Sequence, residues 1–193
     1  MGILSALKVG GLRSPRAIRH NGQRLSEILA SHTEFVRGDP AGIRAHLAGA
    51  NLSRANLERT NLAYADLAGA NLEGTNLREA KLGSADLSKA CLRKADLRKA
   101  DLTETNLSGA DLTEAQAGGA ELFRADLQGA ILRHADFGAT NFREARVAGA
   151  EFEGAHLRTA ILRETKLDGV DLSRADISMA LLPRGYSSPT GKS

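Results

Sequence analysis

Residues 50–69 read Ala50-Asn51-Leu52-Ser53-Arg54, Ala55-Asn56-Leu57-Glu58-Arg59, Thr60-Asn61-Leu62-Ala63-Tyr64, Ala65-Asp66-Leu67-Ala68-Gly69, four passes through one five-residue unit. The unit extends in both directions without an insertion, with central residues at every fifth position from Leu47 to Leu182, 28 units in all. Leu is the centre in 22 units, and Ala117, Phe137, Phe142, Val147, Phe152 and Ile177 fill the rest. Two residues before the centre stands Ala in 22 units and Thr or Val in the other six. A strict period of five fits neither a helix at 3.6 residues per turn nor a coiled coil at 3.5, because apolar residues five apart walk around the cylinder. In extended backbone, Ala and Leu two residues apart face one way and the Asp or Asn between them faces the other. The two variable residues then turn a corner, and repetition winds the chain into an all-β solenoid with an apolar inside and a polar outside.

The number of sides follows from a slower rhythm. Gly ends the unit at Gly49, Gly69, Gly109, Gly129, Gly149 and Gly169, a spacing of 20 broken at Lys89, so one column of corners favours Gly and the coil is four-sided. Twenty-eight units predict a quadrilateral β-helix of about seven coils, roughly 34 Å tall at the usual strand spacing. This register places the small Ala117 under Phe137, a pairing of small with large that a close-packed core requires.

The units Ala50-Asn51-Leu52-Ser53-Arg54, Ala65-Asp66-Leu67-Ala68-Gly69 and Ala125-Asp126-Leu127-Gln128-Gly129 resemble the A(D/N)LXX motif of the pentapeptide repeat family, over Ala45 to Leu182. The resemblance implies a right-handed quadrilateral β-helix. It implies little about function, since members of the family do unrelated things. Its best-understood activity is imitation of DNA by acidic rods that bind gyrase, inhibiting it or protecting it from quinolones.

Three segments follow: a basic N-terminal segment and capping helix at 1–44, the repeats at 45–182, and a flexible tail at 183–193. Leu25, Ile28, Leu29, His32, Phe35 and Val36 form a helical stripe, with Asn21 as a candidate start and Gly38 and Pro40 as the stop. A short N-terminal helical cap suits a β-helix, whose first coil otherwise bares strand edges and a Leu core. Leu25-Ser26-Glu27-Ile28-Leu29-Ala30 also resembles the leader found before the repeats in many bacterial members. At the other end Met179, Leu181, Leu182 and Tyr186 are candidates for C-terminal self-association as a homodimer, unless Pro183 and Tyr186 fold back over the last coil. Some gyrase-targeting members dimerise at this end, through a helix that this sequence lacks.

The chemistry of catalysis is not visible in the pattern. Paired carboxylates such as Asp66 and Asp86, or Asp111 and Glu151, share outward columns by the arithmetic of the repeat, and a convex rod offers no pocket to split their pKa values. The five His have no metal-ligand spacing, the one Cys, Cys91, faces outward between Asn71 and Asp111, and no phosphate-binding or dinucleotide motif occurs. The expectation is a protein that is not an enzyme and takes no cofactor and no metal.

One Cys in 193 residues suits a reducing compartment. No apolar run is long enough to cross a bilayer. Met1 to Val9 carry Lys8 within their apolar stretch and make a poor secretory signal, so a cytoplasmic bacterial protein without membrane contact is expected.

Charge bears on partners. The three segments carry net +4, −3 and +2. A duplex of the rod's length carries about 20 negative charges, so DNA mimicry toward gyrase is weakly supported. Lys81, Lys89, Arg93, Lys94, Arg98 and Lys99 form a partial basic belt within about one coil, a candidate partner-binding site interleaved with Asp86, Asp96 and Asp101. Phe123 and Tyr64 are the outward aromatics, three coils apart, too sparse for stacking on bases, so no direct nucleic-acid binding is expected. The leading expectation is a rigid protein-binding or scaffold module.

Overall fold

The computed structural model describes residues 11–186. Through the repeats, outward residues twenty positions apart pair in parallel, from His46 with Asp66 to Ile161 with Leu181. Twenty residues per coil at five per side make the coil four-sided, as the Gly rhythm predicts. Each side carries one short extended segment whose bonds run to the coils before and after. Asp66 N–H donates to Ala45 O (2.9 Å), Leu47 N–H to Asp66 O (2.7 Å) and Gly49 N–H to Ala68 O (2.9 Å).

Each corner is a β-turn closed by a bond from the residue three past the centre, as in Ala50 N–H to Leu47 O at 3.0 Å. Its third residue has positive φ, and this holds on all four sides: Arg54 at 55°, Arg59 at 56°, Tyr64 at 65° and Gly69 at 63°. The Gly column is therefore one of four equivalent corner columns, and the preference for Gly there reports the ease of that φ and not a conformation peculiar to one side.

The Asp or Asn of each unit does more than face solvent. Its Oδ1 accepts the N–H of the residue two ahead, at the first corner position, as in Ala68 N–H to Asp66 (3.2 Å), Ser88 N–H to Asp86 (2.9 Å) and Thr103 N–H to Asp101 (3.0 Å). A short side chain with an oxygen at that reach satisfies a donor that the inter-coil ladder leaves out, which explains why Asp and Asn fill the position.

The core is a column of stacked centres and Ala residues with almost no exposure. Phe137 is fully buried above Ala117, whose N–H donates to Asp136 O (2.7 Å). Phe137 meets Phe142 edge to face at 5.2 Å between ring centroids, and Phe142 meets Phe152 at 6.4 Å. Four inward Thr are buried where Ala usually stands: Thr75, Thr105, Thr140 and Thr165 each donate their hydroxyl to a centre carbonyl of the coil below.

Ahead of the repeats come a 3-10 turn at Pro15–Ala17, strands β1 (Arg19–His20) and β2 (Gln23–Arg24), and helix α1 (Leu25–Arg37). Asn21 does not start the helix. It sits with Gly22 in the tight turn of the β1–β2 hairpin, both at positive φ (47° and 83°), the pairing that an Asn-Gly dipeptide favours. The helix starts instead at Leu25, where Arg24 N–H donates to the Glu27 carboxylate (3.2 Å). It ends as expected, at Gly38 in left-handed conformation (φ 84°). Leu25 and His32 of α1 are buried, Ile28 and Leu29 pack on the core of the coils, and His32 Nδ1 accepts the N–H of Ala45 (3.1 Å). Arg13 runs beside the first coil, donating to Arg54 O (2.6 Å) and accepting from Asn56 N–H (2.9 Å), where a preceding coil would stand.

Candidate protein-binding faces

The register sorts outward residues into four columns. One carries His46, Asp66, Asp86, Asn106, Asp126, Arg146 and Lys166, a second Asn51 to Asp171 through Cys91, a third Asn56 to Asp176, and a fourth Asn61 to Leu181. Asp66 stacks on Asp86, and Cys91, half-exposed with a free thiol, lies between Asn71 and Asp111. No column is acidic from end to end. The first turns basic at Arg146, which donates to Asp126 (3.1 Å), and the fourth ends in Ile161 and Leu181.

Charges on the sides are largely matched along the rod axis. Arg124 stands between Glu104 (3.9 Å) and Glu144 (2.8 Å), Arg59 pairs with Glu79 (2.8 Å), and Arg143 with Glu164 (2.9 Å), each one coil apart. The Arg59 side chain in turn holds the Glu79 carboxyl below its usual range by hydrogen bonding and charge. In a rod with a twenty-residue coil such ladders form wherever opposite charges recur at that spacing.

The structure divides the basic belt. Arg93 lies 3.7 Å from Asp111, Lys94 3.7 Å from Glu114 and Arg98 2.5 Å from Asp96. Lys81, Lys89 and Lys99 are exposed without an ion pair among the described residues, but they stand on three different sides. The six cations therefore circle the rod and do not converge on one patch. Tyr64 is 54% exposed, while Phe123 lies under the Arg124 guanidinium at 4.7 Å, which takes up its ring face.

At the C-terminal end Met179 and Leu181 are exposed, whereas Leu182 and Tyr186 are half-buried against the core. The Tyr186 hydroxyl is buried without a hydrogen-bond partner, and burial, with the Asp171 carboxylate adding, pushes its pKa up. A cleft of about 840 Å³ opens here between the last coil and Pro183–Tyr186. Among the described residues no group of His, Cys, Asp and Glu is arranged to hold a metal ion, and no helix is long and apolar enough to cross a membrane.

Parallel four-sided coils with five-residue sides define a β-solenoid, the class to which this chain's fold belongs. The sequence matches the family described as pentapeptide repeats, in eight copies over residues 43–79, 80–116, 120–158 and 140–178. The chain belongs to the pentapeptide repeat family, whose fold is a right-handed quadrilateral β-helix and whose members are in general structural or binding modules. No curated protein matches it. Among solved structures it is similar to the pentapeptide repeat protein Rfr23 of the cyanobacterium Cyanothece 51142, at 34% identity over 51% of this chain and 64% of that one, with a TM-score of 0.39. It is similar also to HetL of Nostoc sp. strain PCC 7120, a pentapeptide repeat protein involved in the regulation of heterocyst differentiation, at 28% identity over 83% of this chain and 98% of that one, TM-score 0.38. A third is a thylakoid-lumen pentapeptide repeat protein of Arabidopsis thaliana, at 32% identity over 59% and 69%, TM-score 0.39. The chain spans 64% of the length of Rfr23.

Proposed function

We propose that this chain is a non-enzymatic, cytoplasmic protein-binding or scaffold module, a rigid rod of about seven coils over 45–182 that presents flat polar sides to a protein partner. Helix α1 and the segment before it, within 1–44, close the N-terminal end, and 183–193 form a tail of which the residues beyond Tyr186 lie outside the described ones. The observation that carries the reading is the internal matching of charge along the sides, where Glu104, Arg124 and Glu144 repeat at the coil spacing. Such a surface is regular and stiff, suited to a broad contact and unsuited to gathering catalytic groups. The six belt cations, spread around the rod, support at most a partial acidic contact. Met179, Leu181, Leu182 and Tyr186 support end-to-end pairing of two copies as one way of extending the rod.

The competing reading, a DNA mimic that binds gyrase, meets two obstacles: the repeats net only −3, and no outward column is acidic throughout. A gyrase supercoiling assay titrated with the protein, with and without a fluoroquinolone, separates the two. No effect at low micromolar protein is expected. Inhibition or drug protection there overturns the scaffold reading in favour of mimicry.

A further inference from the structure

Charge on this chain is concentrated at one end. Residues 1–26 hold Lys8, Arg13, Arg16, Arg19 and Arg24 and no acid, a net +5, whereas the remaining residues net −2. The first carboxylate is Glu27, whose Oε2 accepts the Arg24 N–H (3.2 Å) at the start of α1. Two further acids lie at the far end of that helix, where Glu34 pairs with Arg37 (3.1 Å) and Asp39 accepts the Ala41 N–H (2.8 Å). On the first coil Glu58 accepts from Asn76 Nδ2 (3.2 Å), and the exposed Arg54 and Arg59 outnumber it. Arg13, Arg16, Arg19 and Arg24 make no ion pair among the described residues.

Three short elements present these arginines. Arg16 lies in the 3-10 turn, which packs against β2 and α1. Arg19 and Arg24 stand opposite each other across β1 and β2, so both side chains leave the same face of the hairpin. Arg16, Arg19 and Arg24 are exposed and Arg13 is half-buried. Like charges directly opposite destabilise a hairpin, and here the strands are two residues long. Arg19 Nη1 donates to the Gly22 carbonyl (2.7 Å), which leaves its charge unanswered. An anion between the two guanidiniums turns the repulsion into a site with several charge-assisted donors. Leu12, 49% exposed, precedes Arg13, and the sequence ahead of it adds Ile3, Leu4, Leu7 and Val9 around Lys8. Cations adjoining apolar residues with no acid between them match a surface that offers anionic headgroups above hydrocarbon. A nucleic-acid duplex or a run of acidic residues answers the cations alone and leaves the apolar residues in water.

We propose that the N-terminal end of the rod is a docking surface for an anionic lipid bilayer, with Arg16, Arg19 and Arg24 on the headgroups and Leu12 at the hydrocarbon boundary. The rod then stands off the bilayer with its sides free, a role additional to binding a protein partner and independent of it. The expectation of no membrane contact rests on the lack of a spanning run and of a secretory signal, and neither bears on a protein that lies on the surface.

The full chain is floated with vesicles of phosphatidylcholine carrying about 30% phosphatidylglycerol, and with pure phosphatidylcholine vesicles as control. Binding to the first and none to the second is expected, weakened about tenfold or more in Arg16→Ser/Arg19→Ser/Arg24→Ser and severalfold in Leu12→Ser. These residues are exposed, and unchanged circular dichroism melts show that the variants fold. For orientation, a polarity-sensitive dye is attached at Asn21→Cys on the hairpin tip, or at Ser178→Cys on the last coil, in a Cys91→Ser background. Its emission shifts to the blue on anionic vesicles at 21 and not at 178. No binding to anionic vesicles, equal binding to pure phosphatidylcholine, or undiminished binding by the triple variant overturns the proposal. So does a dye shift at 178, alone or with 21. Binding that the triple variant keeps and deletion of 1–10 abolishes assigns the contact to those ten residues alone. A short DNA duplex bound more tightly than the vesicles, with the loss in the triple variant, assigns the arginines to nucleic acid, and full displacement from vesicles by poly-glutamate at equal charge assigns them to an acidic protein; each of the three overturns the proposal.

Discussion

The hydroxyl of Thr140 donates to the carbonyl of Ala117 over 2.8 Å, from one coil to the one below, at the point where Phe137 covers the smallest centre in the core. The Ala117 carbonyl also accepts the turn bond from Ala120 N–H (2.9 Å). Removing the hydroxyl therefore leaves the carbonyl satisfied once, and Val170 already occupies an equivalent inward position without a hydroxyl. Thr140→Val is expected to lower stability by less than about 1 kcal/mol, whereas Thr140→Asn, which brings a second polar group into a packed site, lowers it by about 2 kcal/mol or more. Thermal melts followed by circular dichroism decide this, and a T140V loss as large as that of T140N would mean that the hydroxyl is essential to the stack.

Leu97 and Asp96 test the inside and outside of one unit. Leu97 has no exposure, and a carboxylate there has no partner, so Leu97→Asp is expected to cost more than about 4 kcal/mol and unfold the rod. Asp96→Ser retains an oxygen for the Arg98 N–H that Asp96 now accepts (3.2 Å) and gives up the ion pair with the Arg98 guanidinium. A change under about 0.5 kcal/mol is expected for an exposed pair of this kind. Equal melts for the two variants would overturn the assignment of faces.

The repeats were legible because each of their features has a local cause. Ala and Leu two apart report one buried face, and Gly at a spacing of 20 reports a corner column, so the four-sided coil and the place of Phe137 over Ala117 follow from residue order alone. Charge pairing was only partly legible, since Asp96 stands two residues from Arg98 in the sequence, whereas Arg93 with Asp111 and Lys94 with Glu114 meet across neighbouring coils. The N-terminal segment was half legible. The stripe on α1 and its Gly38 stop stand in the sequence, but Asn21, whose side chain suits a helix start, forms with Gly22 a hairpin turn instead. The missing ladder bonds of the Gly149 and Phe152 amides left no trace, because 146–153 and 166–173 keep the five-residue pattern.

Gly42 and Gly69 are both glycines beside a turn, yet substitution separates them. A Cβ on Gly42 falls 2.0 Å from Phe35 N and 2.4 Å from Phe35 Cα, a collision with the backbone at the end of α1. Gly42→Ala is expected to cost more than about 2 kcal/mol and to loosen α1 from the first coil, seen as earlier proteolysis between α1 and Ala45. A Cβ on Gly69 meets nothing within 4 Å, and the one difficulty is its φ of 63°. Gly69→Ala therefore costs about 1 kcal/mol, as befits a chain whose other corners accept Arg, Lys and Glu at the same φ. Similar losses from both would show that the turn before Ala45 yields freely.

His32 makes the packing of α1 on the first coil depend on pH. Its ring is fully buried and Nδ1 accepts the Ala45 N–H at 3.1 Å, so the neutral ring carries its proton on Nε2, which is buried without a partner. Protonating Nδ1 sets two donors against each other. Burial holds the pKa below its usual 6.5, the Ala63 carbonyl opposes this in part, and the Arg44 charge adds to it. The unfolded chain then binds the proton more readily than the folded one. The stability that the neutral ring contributes is complete above about 6.5 and drains away as pH falls from there toward the lower folded value. Melting temperature is expected to drop between pH 7 and pH 5 more steeply in the native protein than in His32→Leu, which has no proton to gain. Parallel slopes in the two proteins would show that His32 does not govern the acid sensitivity of this end of the rod.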